Sequence, residues 1–344
     1  MKCFLLFVNI LFFLSVHGPA WGTEADELVK RARQVLGVLP QVIVSERNPV
    51  TPAKVTLGKT LFYETRISID GTVSCSKCHP FGLYAADGLR ESIGNQCRLN
   101  PRNAPTVLNA AAQISAHWIG NRIDVEDQAK QSVIGSPSFG MSSFADVEKK
   151  LKAIKGYGPL FEQAFPGEKE PISIDNFAKA IGAFERTLVT PSHLDSFLEG
   201  EKEAMNEGEK KGLRTFMEVG CIMCHSGPYL GGQMYQKFGL LEPYWKYTGT
   251  KTEAIDEGRF AVTKNESDRY VFKVPVLRNI AKTSPYFHDG SVDSLESAEG
   301  IMAKVQLGRN LSKEEIRDIH AFLISLTGKI PDNALQVPLL PSTE

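Results

Sequence analysis

The chain has 344 residues, 42% of them hydrophobic and 23% charged, with a formal net charge of −1 at pH 7. That length and apolar content suit two cores of ordinary size rather than one. Charge so close to zero, and so evenly dispersed, argues against nucleic acid or an anionic membrane surface as a partner.

Met1-Lys2, an apolar run from Cys3 to Val16 and the small-x-small sequence Ala20-Trp21-Gly22 predict residues 1–22 to be a cleaved secretory signal peptide. The run falls short of the roughly 20 residues that a membrane span requires. No second long apolar stretch follows, so no membrane insertion is expected, and export places the mature chain in the periplasm.

Leu28, Ala32, Val35 and Leu36 then mark one face of a first helix. The sequence Cys75-Ser76-Lys77-Cys78-His79 comes next. Helical faces resume with Val147, Leu151 and Ile154, and with Phe177, Ile181, Phe184 and Leu188. Thr190-Pro191-Ser192-His193 and the charged run from Glu199 to Lys211 break this period, which puts a domain boundary near residue 189 and divides the mature chain into 23–188 and 189–344. Asn206 with Glu209 forms a capping-box pair ahead of a helix carrying Leu213 and Phe216. The five-residue signature then recurs as Cys221-Ile222-Met223-Cys224-His225, and the Gly- and aromatic-rich stretch 227–250, which has no helical face, reads either as an ordered loop over it or as a mobile one. A last capping box, Ser312 with Glu315, opens a helix carrying Ile316, Ile319 and Leu323, which Gly328 and Pro331 close. No long stretch alternates with period two, so the class is mainly α.

In C-x-x-C-H the two thiols form thioether links to the haem vinyl groups, and the histidine is held where its imidazole binds the iron. Zinc or thiol-redox chemistry is the rival, but a four-sulfur zinc site does not need a histidine directly after each second cysteine. One accidental copy is expected on the order of 10⁻³ times in a chain of this composition, and two copies far less often. Cys75, Cys78, Cys221 and Cys224 are therefore assigned to two covalent haem c groups, with His79 and His225 as iron ligands. The chain reads as two cytochrome c-like haem domains with long connecting loops, each motif lying in a loop that enters a helix. Haem is attached outside the cytoplasm, in agreement with export. Cys97 is left as the one thiol of the mature chain without a haem partner.

The second axial position sets potential and reactivity. Met302, in an apolar segment before the final helix, would on its own read as core filler. The sequence resembles the bacterial dihaem cytochrome c peroxidases from about residue 50 to residue 330. The segments that carry the resemblance are Ser92-Ile93-Gly94, Asn103-Ala104-Pro105-Thr106-Val107-Leu108-Asn109, Ala183-Phe184-Glu185-Arg186-Thr187-Leu188, Leu230-Gly231-Gly232-Gln233, Phe272-Lys273-Val274-Pro275, Leu277-Arg278-Asn279 and Pro285-Tyr286-Phe287-His288-Asp289-Gly290. The resemblance implies that Met302 is the sixth ligand of the second haem, whose raised potential makes it the electron entry point. It implies a calcium ion held by the Asn103 side-chain oxygen and the carbonyls of Thr283 and Pro285, an oxygen set that suits a hard cation. Trp118 matches the tryptophan that the family places between its haems, and Gln128 matches the glutamine of its E-Q-A segment. Family members resemble homodimers.

Two departures stand out. The histidine that many members carry eight residues before the N-A-P-T asparagine is here Asn95, a poor ligand for haem iron. Three arrangements are open at the first haem: a five-coordinate iron, which is favoured, ligation by Cys97, or entry of another side chain such as His117 or Met141. The family's acid/base glutamate falls here on Ser138 or Phe139, neither of which can serve. Glu126, Asp127 or His117 are the candidates to compensate. The expected function is reduction of hydrogen peroxide to water at the first haem, with electrons from a small cytochrome c or cupredoxin. The alternatives are a peroxide-dependent oxidase of a partner protein, a version that can replace the methionine with tyrosine, and a non-enzymatic electron carrier or sensor. His193 and His320 read as a loop residue and a helix-flank residue, neither with a visible partner.

Overall fold

The structure is a computed structural model that describes residues 24–251 and 255–344; the expected signal peptide, with Cys3, lies outside the described residues. Helices begin where the sequence supplies caps. After α1 (Glu24–Val35), Thr51 accepts the Lys54 amide at the start of α2 (Pro52–Phe62), with Pro52 in the first turn where its missing N–H costs nothing. α3 (Cys75–Cys78) is a single turn. Side chains of Asp124, Ser143 and Ser173 cap α4 (Val125–Ser132), α5 (Phe144–Ala153) and, beyond α6 (Tyr157–Ala164), α7 (Ile174–Glu185). α8 (His193–Glu199) and α9 (Glu207–Val219) follow, then the short α10 (Trp245–Thr248) and α11 (Phe260–Thr263), and finally α12 (Leu295–Leu307), α13 (Lys313–Ser325) and α14 (Asp332–Leu335). Both expected capping boxes form, at the starts of α9 and α13. Among the described residues the sheet is one antiparallel pair, β1 (Tyr235–Lys237) with β2 (Val271–Lys273), Gln236 opposite Phe272. The chain is mainly α.

Two helix pairs organise two cores. α2 lies on α7 so closely that a Cβ on Gly58 would stand 1.9 Å from the Ala180 carbonyl oxygen. α9 lies on α13 the same way, with the corresponding distance from Gly212 to the Asp318 oxygen again 1.9 Å. Phe62, Phe81 and Phe184 fill the first core, their ring centroids 5.4–5.9 Å apart. Phe216 and Phe322, 5.1 Å apart, fill the second. The chain passes from one core to the other between Leu188 and Leu194. There the fully buried Thr190 hydroxyl accepts Nδ2–H bonds from Asn109 at 2.8 Å and Asn279 at 2.9 Å, so one side chain ties a loop of each unit.

The expected division at 23–188 and 189–344 does not describe the chain ends. Leu28, Ala32 and Leu36 of the first helical face are buried in the second core, while Ile330 and Ala334 belong to the first. The exchange continues past α14, where Arg66 donates to the Pro341 carbonyl at 3.0 Å and the Gly156 amide to Ser342 at 3.1 Å. Each unit is closed by an end of the chain that is distant in sequence.

Candidate functional site: two histidine–thiol turns and the cavity between them

The two motifs reach the same geometry by different routes. α3 follows α2 after a loop, whereas the second motif leaves α9 directly through Gly220, at φ 104°, rather than from a loop as expected. The His79 amide donates to the Cys75 carbonyl at 3.0 Å and the His225 amide to Cys221 at 2.9 Å, so each imidazole sits over its own cysteine pair. Nδ1 of His79 donates to the Ala85 carbonyl and Nδ1 of His225 to Leu230, both at 3.1 Å. A carbonyl can only accept, so both rings carry the proton on Nδ1 and present the Nε2 lone pair as a ligand. Gly231, at φ +129°, makes the second arrangement possible: a Cβ there would lie 2.2 Å from the Pro275 oxygen and 3.3 Å from His225 Nδ1.

Burial holds His225 neutral, its pKa pushed down to about 4, and pushes the Cys221 thiol up to about 12 and the Cys75 thiol upward too. Protonated thiols in two separate cores suit thioether formation and not a shared zinc site. No group of three or more His, Cys, Asp or Glu able to hold a metal ion occurs among the described residues.

One cavity gathers most of the predicted site. Cys221, Cys224, His225 and Met302 line it together with Trp118, Asn103, Thr283 and Pro285, against apolar walls that include Phe216, Leu277 and Leu295. Two thiols, an imidazole with a free Nε2 and a thioether in an apolar cavity fit haem c. Gln306, one turn beyond Met302, accepts the Gly239 and Leu240 amides at 2.7 and 3.0 Å and donates to the Lys237 carbonyl at 3.0 Å. That fixes α12 to the stretch 227–250, in which Phe238 and Tyr244 are buried. Trp118 Nε1 donates to the Asn103 carbonyl at 2.9 Å, and the Asn103 side chain donates to Leu89 at 2.9 Å through Nδ2, which leaves Oδ1 available.

Around His79 the picture differs. Asn95 is fully buried, its Nδ2 donating to the carbonyls of Ser136 and Ser138 and its backbone amide to Ser138 again, at 3.0 Å. Two glycines admit this closeness: a Cβ on Gly94 would fall 1.5 Å from the Pro137 oxygen, and one on Gly140, at φ +71°, would fall 2.6 Å from Asn95 Nδ2. Cys97 is exposed, while Met141 and Phe139 are buried in the first core. Of the candidate acids, Glu126 is taken up by Arg186, with both oxygens at 3.0 Å, and by Asn48; Asp127 accepts the Ile123 amide at 3.1 Å. His117 is half-buried, its pKa lowered to about 4 by desolvation, with Nδ1 2.9 Å from Asn121 Oδ1. It is close enough to His79 for the two rings to feel each other's charge. Gln128 is half-buried on α4 with its side-chain amide unpartnered among the described residues.

Some features were not singled out from the sequence. His193 and His320 both have carboxylate partners, Glu209 at 3.2 Å and Glu299 at 3.0 Å. Glu299 itself lines the cavity, its Oε2 without a hydrogen-bond partner among the described residues. Lys273, quoted above only as part of a segment, is 5% exposed in the cavity wall. A lysine between Val271-Phe272 and Val274-Pro275 was the available signal.

Two C-x-x-C-H turns in two α-helical units define a dihaem c-type cytochrome. A family model described as di-haem cytochrome c peroxidase matches residues 52–203. The cytochrome c551 peroxidase of Pseudomonas aeruginosa is 41% identical over 322 residues, covering 93% of this chain and 91% of that protein. The methylamine utilization protein MauG of Methylorubrum extorquens is 35% identical, covering 86% of this chain and 83% of that one. The crystal structure of a MauG-like protein associated with microbial copper homeostasis superposes with a TM-score of 0.77 at 28% identity, covering 93% of this chain and 99% of its own. The chain belongs to the dihaem cytochrome c peroxidase family, oxidoreductases that act on peroxide and carry two haem c groups.

Proposed function

We propose that this enzyme is exported to the periplasm and reduces hydrogen peroxide to water with electrons from a small cytochrome c or cupredoxin. The observation that carries the reading is the asymmetry of the two sites: Met302 shares a cavity with His225, whereas the residue offered to the other site is Asn95, its amide nitrogen already committed to loop carbonyls. When bound, the haems supply one iron that accepts electrons and one on which peroxide is reduced.

The chain's own residues set the rest. Cys75 with Cys78, and Cys221 with Cys224, hold the porphyrin edges, and His79 and His225 present Nε2 with the proton parked on Nδ1. The soft Met302 thioether favours the reduced state at the second site, which makes it the point of electron entry. Trp118, fixed by its bond to Asn103 and adjacent in sequence to His117, is the conduit between the sites. Asn95 leaves the first site open to peroxide. With Glu126 tied to Arg186 and Asp127 accepting the Ile123 amide, Gln128 would be the side chain left to orient bound peroxide, and solvent would supply the two protons that its reduction to water takes up. A calcium ion held by Asn103 Oδ1 and the carbonyls of Thr283 and Pro285 stiffens the cavity; chelation should lower turnover, and unchanged turnover removes the ion from the account.

The test is peroxide consumption by the holoprotein with reduced cytochrome c or reduced cupredoxin as donor. Turnover no faster than that of free haem would end this reading. A second reading, peroxide-driven oxidation of a partner protein, draws on the similarity to MauG; indifference to both donors would favour it, and Met302 stands against it. The electron-carrier and sensor alternative is set aside, because the similar proteins are named as peroxidases.

A further inference from the structure

Lys273 is 5% exposed, and no carboxylate among the described residues lies within 4 Å of its ammonium. Its side-chain bond is to Gln113 Oε1, a neutral acceptor, and its own backbone amide donates to the Trp118 carbonyl at 2.7 Å. Arg122 stands nearby, its Nε buried without a partner, and the charges of both reach the His117 ring. An unpaired buried cation costs several kcal/mol. Lys273, beside Trp118 in a wall shared with Cys224 and His225 and with the unpartnered Arg122 Nε close by, describes a place prepared for an anion.

We propose that Lys273, held by Gln113 and reinforced by Arg122, is the seat of a propionate carboxylate of the haem tethered at Cys221 and Cys224. Haem c brings propionates with it, so the anion arrives with the cofactor and needs no separate source. The inference rests on haem attachment at the second motif. Without such an anion, desolvation lowers the Lys273 pKa to about 7, and a carboxylate contact restores the charged form. Lys273 is thus a positioning residue: it orients the porphyrin edge next to the tryptophan conduit and tunes the potential of the iron ligated by His225. Removing its charge leaves the propionate uncompensated, which favours the ferric state and lowers the potential.

The experiment uses the full-length holoprotein, wild type beside Lys273→Met and Lys273→Arg. Haem content is measured first, by the pyridine haemochrome spectrum; fewer than two haems c per wild-type chain would sink the attachment reading itself, separately from this inference. With two haems present, Lys273→Met should lower the midpoint potential of the higher-potential haem and shift its propionate-bending band in the resonance Raman spectrum, while Lys273→Arg stays close to wild type. An unchanged potential and band in Lys273→Met would overturn the assignment. Should Lys273→Met not take up haem, the wild type decides: its propionate band should move on exchange into D2O, as an acceptor of an N–H bond does, and a band indifferent to D2O would also overturn it.

Discussion

The two haem-binding units are built on one plan and differ in how they finish it. In both, a glycine-mediated helix crossing supports a turn whose histidine is held by a carbonyl five or six residues ahead. In both, a buried glutamate, Glu185 or Glu299, lies close enough to the first cysteine to influence it. The second unit adds a thioether from α12, whereas the first offers the amide of Asn95, bonded elsewhere. A shared scaffold places the two histidine–thiol turns; under the proposed function, a few residues outside it would decide which site relays electrons and which meets substrate.

The largest effects should come from the shared plan. Gly58→Ala and Gly212→Ala each push a methyl to within 1.9 Å of a backbone oxygen, and each should cost about 3 kcal/mol through overpacking. Thermal unfolding of the holoprotein would show it. Because each unit is closed by the opposite end of the chain, both variants should lower one common transition; two separate transitions would break the view that the exchanged ends weld the units together.

Next comes Met302→Ala, which removes the difference that favours electron entry. The potential of the second haem should fall, and donor-driven turnover should drop at least tenfold, about 1.4 kcal/mol in barrier. A redox titration identical to wild type would show that another residue ligates that iron.

Sequence reasoning succeeded where the signal is local. The capping boxes at Asn206/Glu209 and Ser312/Glu315 are contained within a few residues and both formed, as did helices over the expected faces at Val147 and Leu151 and at Phe177, Ile181 and Phe184. It failed where an answer depends on what comes from afar. The face of Leu28 and Ala32 says that a helix is amphipathic and not which core receives it, so the exchange of chain ends was invisible. Glu126 was a plausible acid until Arg186, 60 positions away, took both its oxygens. His320 looked solitary because Glu299 lies 21 positions earlier, on another helix.

A smaller change, Asn95→His, sharpens the comparison from the other side. The wild-type ferric protein should show a high-spin electron paramagnetic resonance signal from the first haem. The variant must displace the 136–140 loop, since Asn95 fills the space above Gly140, and should convert part of that signal to low spin. Activity of the oxidised variant should fall severalfold and recover once the second haem is reduced. A wild-type spectrum that is wholly low-spin would contradict an open first site.

The smallest effect concerns the paired glutamates. Desolvation raises Glu299 to about 8, with Glu296 adding repulsion, and raises Glu185 to about 8 beside Glu126. Between about 4.5 and 8 each folded carboxyl keeps a proton that the unfolded chain has released, so their contribution is intact below about 4.5 and is lost as pH climbs towards 8. The holoprotein should therefore melt at a lower temperature at pH 8 than at pH 5.5. Glu299→Gln and Glu185→Gln, neutral at any pH, should each flatten that slope, and the double variant should flatten it most. If only one substitution acts, the resemblance between the units stops at the backbone, and the other carboxyl is already compensated.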